Sequence, residues 1–287
     1  MRIVVIGSTG QLGTDLMKVL GSDHEVIGLT HGDIEVTDYN SCLVLKKYSP
    51  DVVINTAAFH KTDLCEDEPL KTFSVNALGA KNVAVISKEI GATCVFISTD
   101  YVFDGSKNEP YTEDDVPNPI NTYGISKLAG ELYTRWNPKH YIVRVASLFG
   151  VAGASGKGGN FVETMIKKAK SGEVIRVVDD MSMSPTYTRD AAVAIKKILE
   201  LGLPFGVYHV TNRGFCTWFQ FAKEIFNQLG LNPVLEPIKT EELKMRAKRP
   251  RFSALKSIKL SKYGIGMREW KEALHEYLVE KGHIRQE

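Results

Sequence analysis

Cysteine is scarce. Cys42, Cys65, Cys94 and Cys216 are scattered through 287 residues, with no C-x-x-C pair and no histidine at metal-ligand spacing. This excludes a disulfide framework and a cysteine-based zinc site, and leaves buried, reduced thiols that pack as small hydrophobes. An excess of one charge is also missing: 36 Lys and Arg face 34 Asp and Glu, for a formal net charge of +2. A general nucleic-acid binder needs a concentrated basic surface to track phosphates, so that class is excluded, while a local basic pocket stays open. No apolar run approaches the roughly 18 to 20 residues that span a bilayer. The apolar run in MRIVVIGSTG is too short for a signal peptide, so a cytoplasmic protein without membrane association is expected. There is no internal repeat and no low-complexity tract.

What is present is enough apolar chain for one large domain or two unequal ones. In the first half, short apolar runs alternate with helical patterns, the signature of a parallel sheet covered by helices on both faces. Strands are expected at 3–6, 24–29, 51–55, 93–98 and 141–146, with helices at 11–20, 39–47, 69–89 and 122–135. The polar connection 99–121 is longer than usual and reads as a functional loop. Five of the ten residues in 150–159 are glycine, so a mobile loop is expected there. Beyond it, helices are expected at 161–171, 189–201, 218–229 and 268–281, and strands at 174–178 and 207–210.

Gly7-Ser8-Thr9-Gly10-Gln11-Leu12-Gly13 follows the first strand and opens the first helix. Glycines at such a turn let the backbone approach a pyrophosphate, and the helix N–H groups favour the anion, so a dinucleotide is expected here. An acid or a base at the end of the second strand usually selects NAD or NADP. Leu29, Thr30 and His31 make neither choice, so NADPH and NADH both stay open. His31 is a candidate phosphate contact, and Glu35 and Val36 lie where adenine is expected, with Asp33 and Asp38 nearby.

Tyr123 and Lys127 lie one helical turn apart on the same face. A nearby ammonium would lower the phenol pKa toward working pH and suit it to acid catalysis. Spacing alone decides nothing, because 11 tyrosines and 25 lysines predict about one such pair by chance and Tyr277–Lys281 is another. Position does decide: Tyr123 opens the helix after the long polar loop, at the carboxyl edge where open α/β sheets build their sites. Tyr277 then reads as packing and Lys281 as solvated. Thr99, at the end of the fourth strand, completes a Thr, Tyr, Lys set.

Together these residues resemble the extended short-chain dehydrogenase/reductases, and more closely the dTDP-4-dehydrorhamnose reductase family. The similar segments include GSTGQLG at 7–13, NTAAFHKTDLCEDEP at 55–69, STDYVFDG at 98–105, PINTYGISKLAGE at 119–131, SPTY at 184–187 and KRPRFSAL at 248–255. The resemblance covers almost the whole chain. It implies a doubly wound, Rossmann-type α/β domain over 1–147, to which about 185–201 return, and a smaller substrate-binding lobe in 148–287. The implied reaction is NADPH- or NADH-dependent reduction of the 4-keto group of a nucleotide-linked 6-deoxyhexulose. In it Tyr123 gives a proton to the forming alkoxide, Lys127 binds the nicotinamide ribose and holds the Tyr123 pKa down, and Thr99 orients the carbonyl. Gly7, Thr9, Gly10, Gln11, Leu12, Gly13, Asn55, Ala57, Ala58 and Asn76 are the implied cofactor contacts besides His31, Glu35, Val36, Tyr123 and Lys127. Asp100 and Tyr101 are implied to face the sugar, and Asn160 and Arg249 its diphosphate. No metal is implied by the residues, and a homodimer stays open.

Two departures bear on the substrate. The family's R-T-S-W stretch appears as Arg144-Val145-Ala146-Ser147, which leaves the sugar pocket wider or differently filled. Its D-Q-x-G-x-P-T run appears as Asp180-Met181-Ser182-Met183-Ser184-Pro185-Thr186. Dehydratases on this scaffold place Asp-Glu after the threonine, and Tyr101 here disfavours that chemistry. A nucleotide-sugar epimerase and a non-catalytic subunit like the methionine adenosyltransferase β subunit are the remaining alternatives.

Overall fold

Runs of β-branched residues form strands buried on both faces when helices cover a sheet on each side. The first such run is strand β1 (Arg2–Ile6), whose Ile3, Val4 and Val5 are fully buried. The structure, a computed structural model, describes residues 1–154 and 159–285. β1 leads through the glycine turn into α1 (Gln11–Leu20), and β2 (Glu25–Leu29), β3 (Val52–Asn55), β4 (Thr93–Thr99) and β5 (His140–Val145) follow. With the Gly206–His209 strand they make one six-stranded sheet in the order Gly206–His209, β5, β4, β3, β1, β2. Every pairing is parallel, and Ile6 lies level with Leu29 on one side and Asn55 on the other. The chain reverses direction across the sheet at β1, and the crevice outside the carboxyl ends of β1 and β3 is the switch point where such folds bind ligands.

One face of the sheet packs Ile3, Val5 and Val143 against Leu16 of α1 and against Ala191, Ile195 and Ile198 of the Thr188–Glu200 helix. The other packs Val4, Ile6 and Val53 against Val83 and Ile86. Leu260, Ile265 and Met267 also join the first core. The sheet body therefore takes back more of the chain than 185–201: the Gly206–His209 strand and the segment around Leu260 lie in it as well. The second lobe has a separate core, in which the helices Phe161–Ser171, Trp218–Leu229 and Trp270–Glu280 meet around Phe149, Phe221 and Tyr277.

Two expected helices are broken. The 39–47 stretch is two short turns, Tyr39–Cys42 and Leu45–Tyr48, the second ended by Ser49 at φ 44. The 69–89 stretch begins after a separate turn at Thr62–Asp67, starts on Pro69, widens into a π-helical turn at Ser74–Gly79 and continues as Ala80–Glu89. Pro69 suits a first helical position because its missing N–H is not needed there. The expected mobile loop at 150–159 falls partly on 155–158, outside the described residues. All four cysteines are buried and none forms a disulfide. Burial pushes the Cys42 and Cys94 thiols up to about 12, which leaves them unreactive. No helix among the described residues is long and apolar enough to cross a membrane.

Candidate active site

A cleft of about 1130 Å³ runs along the carboxyl edge of the sheet, from the glycine turn to Trp218 of the second lobe. Gly7 sits at φ +78, and a Cβ there would lie 2.5 Å from Thr56 Oγ1; a Cβ on Gly13 would lie 2.1 Å from the Gly7 carbonyl oxygen. The first contact closes the turn and the second lets α1 press onto it. Gly10 caps α1 without a side-chain hydrogen bond, and the first turn holds no acid. The leading N–H groups of α1 are thus left for an anion. Gln11 Nε2 donates to the Leu148 carbonyl at 3.0 Å and ties the turn to the far wall.

At the end of β2 the acids are already engaged. Asp33 accepts both the N–H and the hydroxyl of Thr30, at 2.8 and 2.6 Å. Asp38 caps the turn at Tyr39–Cys42. One Glu35 oxygen accepts the N–H and hydroxyl of Thr37, and the other lies 3.4 Å from Nδ1 of the exposed His31. His31, Glu35 and Val36 line the cleft.

Thr99, Tyr123 and Lys127 come together on one wall of the cleft. The helix that carries the last two, Thr122–Thr134, is capped by Asn121, whose Oδ1 accepts the Gly124 N–H at 2.7 Å. Glu66 accepts the Thr122 N–H and hydroxyl at 2.8 and 2.6 Å. Close approach needs glycines: a Cβ on Gly124 would meet the Tyr101 carbonyl oxygen at 2.1 Å, and one on Gly130 would meet that of Asn76 at 2.4 Å. Thr99 Oγ1 donates to Asp100 Oδ1 at 3.0 Å and accepts the Tyr101 N–H. Asp100 is buried, the Ser253 side chain also hydrogen-bonds its carboxyl, and burial raises that carboxyl to about 6.

The electrostatics of the pair correct the expectation from spacing. Burial pushes the Tyr123 phenol up, the Thr99 side chain pulls it partway back, and Lys127 is not among the groups that act on it most strongly. The lysine is itself desolvated. It is 2% exposed, its Nζ donates to the Ile97 carbonyl at 2.6 Å and lies 4.1 Å from the centre of the Phe96 ring. Burial lowers its ammonium to about 7, against the pull of Glu131.

Of the residues implied as cofactor contacts, Asn55 and Asn76 stand behind the wall. Asn55 Oδ1 accepts the Ala57 N–H at 3.0 Å, which shapes the turn that presents Ala57 and Ala58 to the cleft. Asn76, in the π-helical turn, accepts the Phe59 N–H at 2.8 Å and donates to the Phe59 carbonyl and to Ser126 Oγ, each at 3.0 Å. It pins the 55–60 loop to the Thr122–Thr134 helix.

On the substrate side, Asp100, Tyr101 and Asn160 line the cleft. Asn160 caps the Phe161–Ser171 helix and donates to the Gly150 carbonyl and the Tyr277 hydroxyl, at 3.0 and 3.1 Å. Tyr277 is fully buried, as its reading as packing requires. Arg249 is not on the cleft wall. It lines a separate cavity of about 480 Å³ and pairs with Asp63 at 3.0 Å, although its charge reaches Tyr101. Ser147 faces the cleft at φ 43, a left-handed conformation rare for serine. Aromatic surface comes instead from Phe161 and Trp218, 4.7 Å apart between ring centres, and from Phe221, which stacks on Phe161. These rings were not identified from the sequence, since helical periodicity marks them only as core. Nor were His60 and Lys71, whose sole signal was their place near the 55–69 segment.

Residues 1–282 match the model of the RmlD substrate binding domain family. The chain belongs to this family. It is 41% identical over 283 residues to the spore coat polysaccharide biosynthesis protein SpsK of Bacillus subtilis, covering 98% of each chain. Among solved structures it is similar to a dTDP-4-dehydrorhamnose reductase from Clostridium acetobutylicum, with a TM-score of 0.92, 41% identity and coverage of 97% of this chain and 98% of that one. It is equally similar in fold to the Bacillus anthracis dTDP-4-dehydrorhamnose reductase in complex with NADP, with a TM-score of 0.92, 38% identity and coverage of 97% and 99%. The family match spans both lobes, so the glycine turn, the Thr99, Tyr123, Lys127 set and the aromatic wall all lie within it. Among the described residues no three His, Cys, Asp or Glu side chains are placed to hold a metal ion.

Proposed function

We propose that this RmlD-family protein reduces the 4-keto group of a nucleotide-linked 6-deoxyhexulose, with dTDP-4-dehydrorhamnose to dTDP-rhamnose as the reaction and NADPH or NADH as reductant. The observation that carries this reading is the meeting of Thr99, Tyr123 and Lys127 in one cleft with the open N-terminus of α1. The residues fit a dinucleotide: Gly7 and Gly13 let the turn close tightly against Thr56 and under α1, and the first N–H groups of α1 lack side-chain caps. A bound nicotinamide supplies the hydride. Tyr123, held protonated by burial, gives its proton to the forming alkoxide, a contribution of roughly 10² to 10⁴ in rate. Thr99 orients the carbonyl, and Lys127 holds the ribose. Asp100 accepts a sugar hydroxyl; Tyr101 closes the same side, and Asn160 lies at the diphosphate.

In this reading residues 1–147 with 185–201, extended by the Gly206–His209 strand, form the cofactor-binding body, and the remainder of 148–287 caps the nucleotide-sugar. The reaction would take place in the cytoplasm, on a small-molecule substrate. The test is absorbance loss at the reduced-nicotinamide band when the protein meets a panel of dTDP-linked 4-ketohexoses with either cofactor. Oxidation with a 4-keto-6-deoxyhexose is expected. Cofactor binding without oxidation by any sugar would overturn the reading.

A further inference from the structure

Beneath the catalytic helix lies a row of buried charges that the reaction as described does not use. Glu131 is one turn beyond Lys127 on the same helix and fully buried. Its Oε1 accepts Ser98 Oγ at 2.6 Å and Arg144 Nε at 2.8 Å, and its Oε2 accepts Arg144 Nη2 at 2.7 Å. Arg144, on β5, is 2% exposed and lies over the Phe103 ring. Its Nη1 is 3.5 Å from His209 Nε2. The other ring nitrogen, Nδ1, faces the Tyr111 and Lys256 carbonyls, so it carries the proton and the ring is neutral.

We infer that Glu131, held between Ser98 and Arg144, is a positioning residue of the reductase: its charge keeps buried Lys127 an ammonium set against the Ile97 carbonyl. This inference rests on the reductase reading for its activity readout. Glu131 touches neither cofactor nor substrate in that reading, and acts through Lys127 and through Ser98, the neighbour of Thr99. The argument is one of desolvation. A lysine with a ring on one side and a single carbonyl acceptor loses its proton near neutrality unless a nearby anion offsets the burial, and Glu131 lies one helical turn away. Glu131 is the acid that raises the Lys127 pKa against burial. Arg144, paired with both Glu131 oxygens, offsets part of the carboxylate's field. The other titratable or charged groups around this row are Tyr123 on the same helix, Asp100 at the end of β4, and His209 with Glu113 and Asp115 behind it.

The test is the alkaline midpoint of kcat/KM, where activity falls as pH rises and Lys127 is lost as a cation, together with the pH dependence of NADPH affinity, which needs no turnover. Glu131→Gln is expected to move both midpoints down by about one pH unit, because it leaves the Arg144 charge unopposed. The double variant Glu131→Gln/Arg144→Gln keeps polar partners for Ser98 and removes both charges, so its midpoints should lie between Glu131→Gln and wild type. Glu131→Asp keeps the charge, and should hold the wild-type midpoints while losing melting temperature. If the single glutamine variant does not fold, the double variant alone must still fall below wild type. Midpoints unchanged in every folded variant, with losses of melting temperature only, would make Glu131 a structural residue and overturn the inference. A wild type without reductase activity, but with the same order in NADPH affinity, would sink the reductase reading and leave this inference standing.

Discussion

The two walls of the cleft are built on opposite principles. The cofactor wall gathers polar groups out of water: Lys127 lowered to about 7 and the Tyr123 phenol pushed up. The substrate wall is aromatic. Phe161 stands 4.7 Å from Trp218 and 5.6 Å from Phe221, and Phe149 stands 5.6 Å from Phe221, centre to centre. Desolvated polar groups cost stability unless ligand or partner satisfies them, while packed rings supply it. The comparison teaches that substitutions on the first wall should trade activity for stability, and that those on the second should lose stability while leaving proton transfer intact.

The largest effect expected is from Tyr123→Phe. Reduction of a dTDP-4-keto-6-deoxyhexose should fall by roughly 10² to 10⁴, with NADPH affinity and melting temperature near wild type. Turnover within a few-fold of wild type would break the assignment of the proton donor. On the other wall, Phe221→Ala empties a site that is 1% exposed, and should cost about 3–5 kcal/mol in urea unfolding. Its kcat at a temperature where it stays folded should change little, with KM for the nucleotide-sugar raised. A collapse of kcat in the folded variant would show that the walls are not separable.

Lys127→Met sharpens the comparison through pH. The folded-state pKa of Lys127 lies below its ordinary value of 10.5, so between about 7 and that value the unfolded chain binds the extra proton and stability rises with pH. Below about 7 the wild type carries a charged, desolvated lysine that methionine does not. The variant should therefore be more stable by roughly 1–4 kcal/mol near pH 6, with the gain shrinking toward pH 10. The measurement is melting temperature against pH for both proteins, and a gain that grows with pH would contradict the burial argument.

How far each wall could be read from sequence follows the same division. The cofactor wall is made by contiguous stretches: the strand-turn-helix at 2–20 and the Tyr123 and Lys127 turn emerge from local pattern, and the structure places them together. Local pattern could not show that Lys127 is aimed at the Ile97 carbonyl and that burial acts most strongly on Tyr123, because desolvation depends on what β4 brings underneath the helix. The aromatic wall was not legible at all. Phe149, Phe161, Trp218 and Phe221 are separated by as many as 72 positions, and each reads alone as ordinary core. Arg249 was misplaced for a related reason: a basic run signals charge but not which cavity it lines. The short strands Leu148–Phe149 and Thr186–Tyr187 pair only with one another, so neither carries a periodicity of its own.

The smallest effect concerns the adenine end of the cofactor wall, where polar groups are satisfied within the chain. Recognition of a ribose diol needs a free carboxylate, and of a 2′-phosphate a cation. Asp33 is taken by Thr30, and Glu35 by Thr37 and His31; His31 is the one imidazole at that end, with its side chain 86% exposed. An exposed ion pair is worth about 0.2–1 kcal/mol, so the charge of His31 can shift the NADPH to NADH ratio by no more than about five-fold. Wild-type kcat/KM values for the two cofactors should then fall within about ten-fold of one another. His31→Ala should lower the ratio by a factor of about 2–5. Because the side chain is so exposed, melting temperature should not move. A hundred-fold preference in wild type, or a drop in melting temperature with His31→Ala, would show that this end of the wall is built like the catalytic end, with groups held out of water to await the ligand.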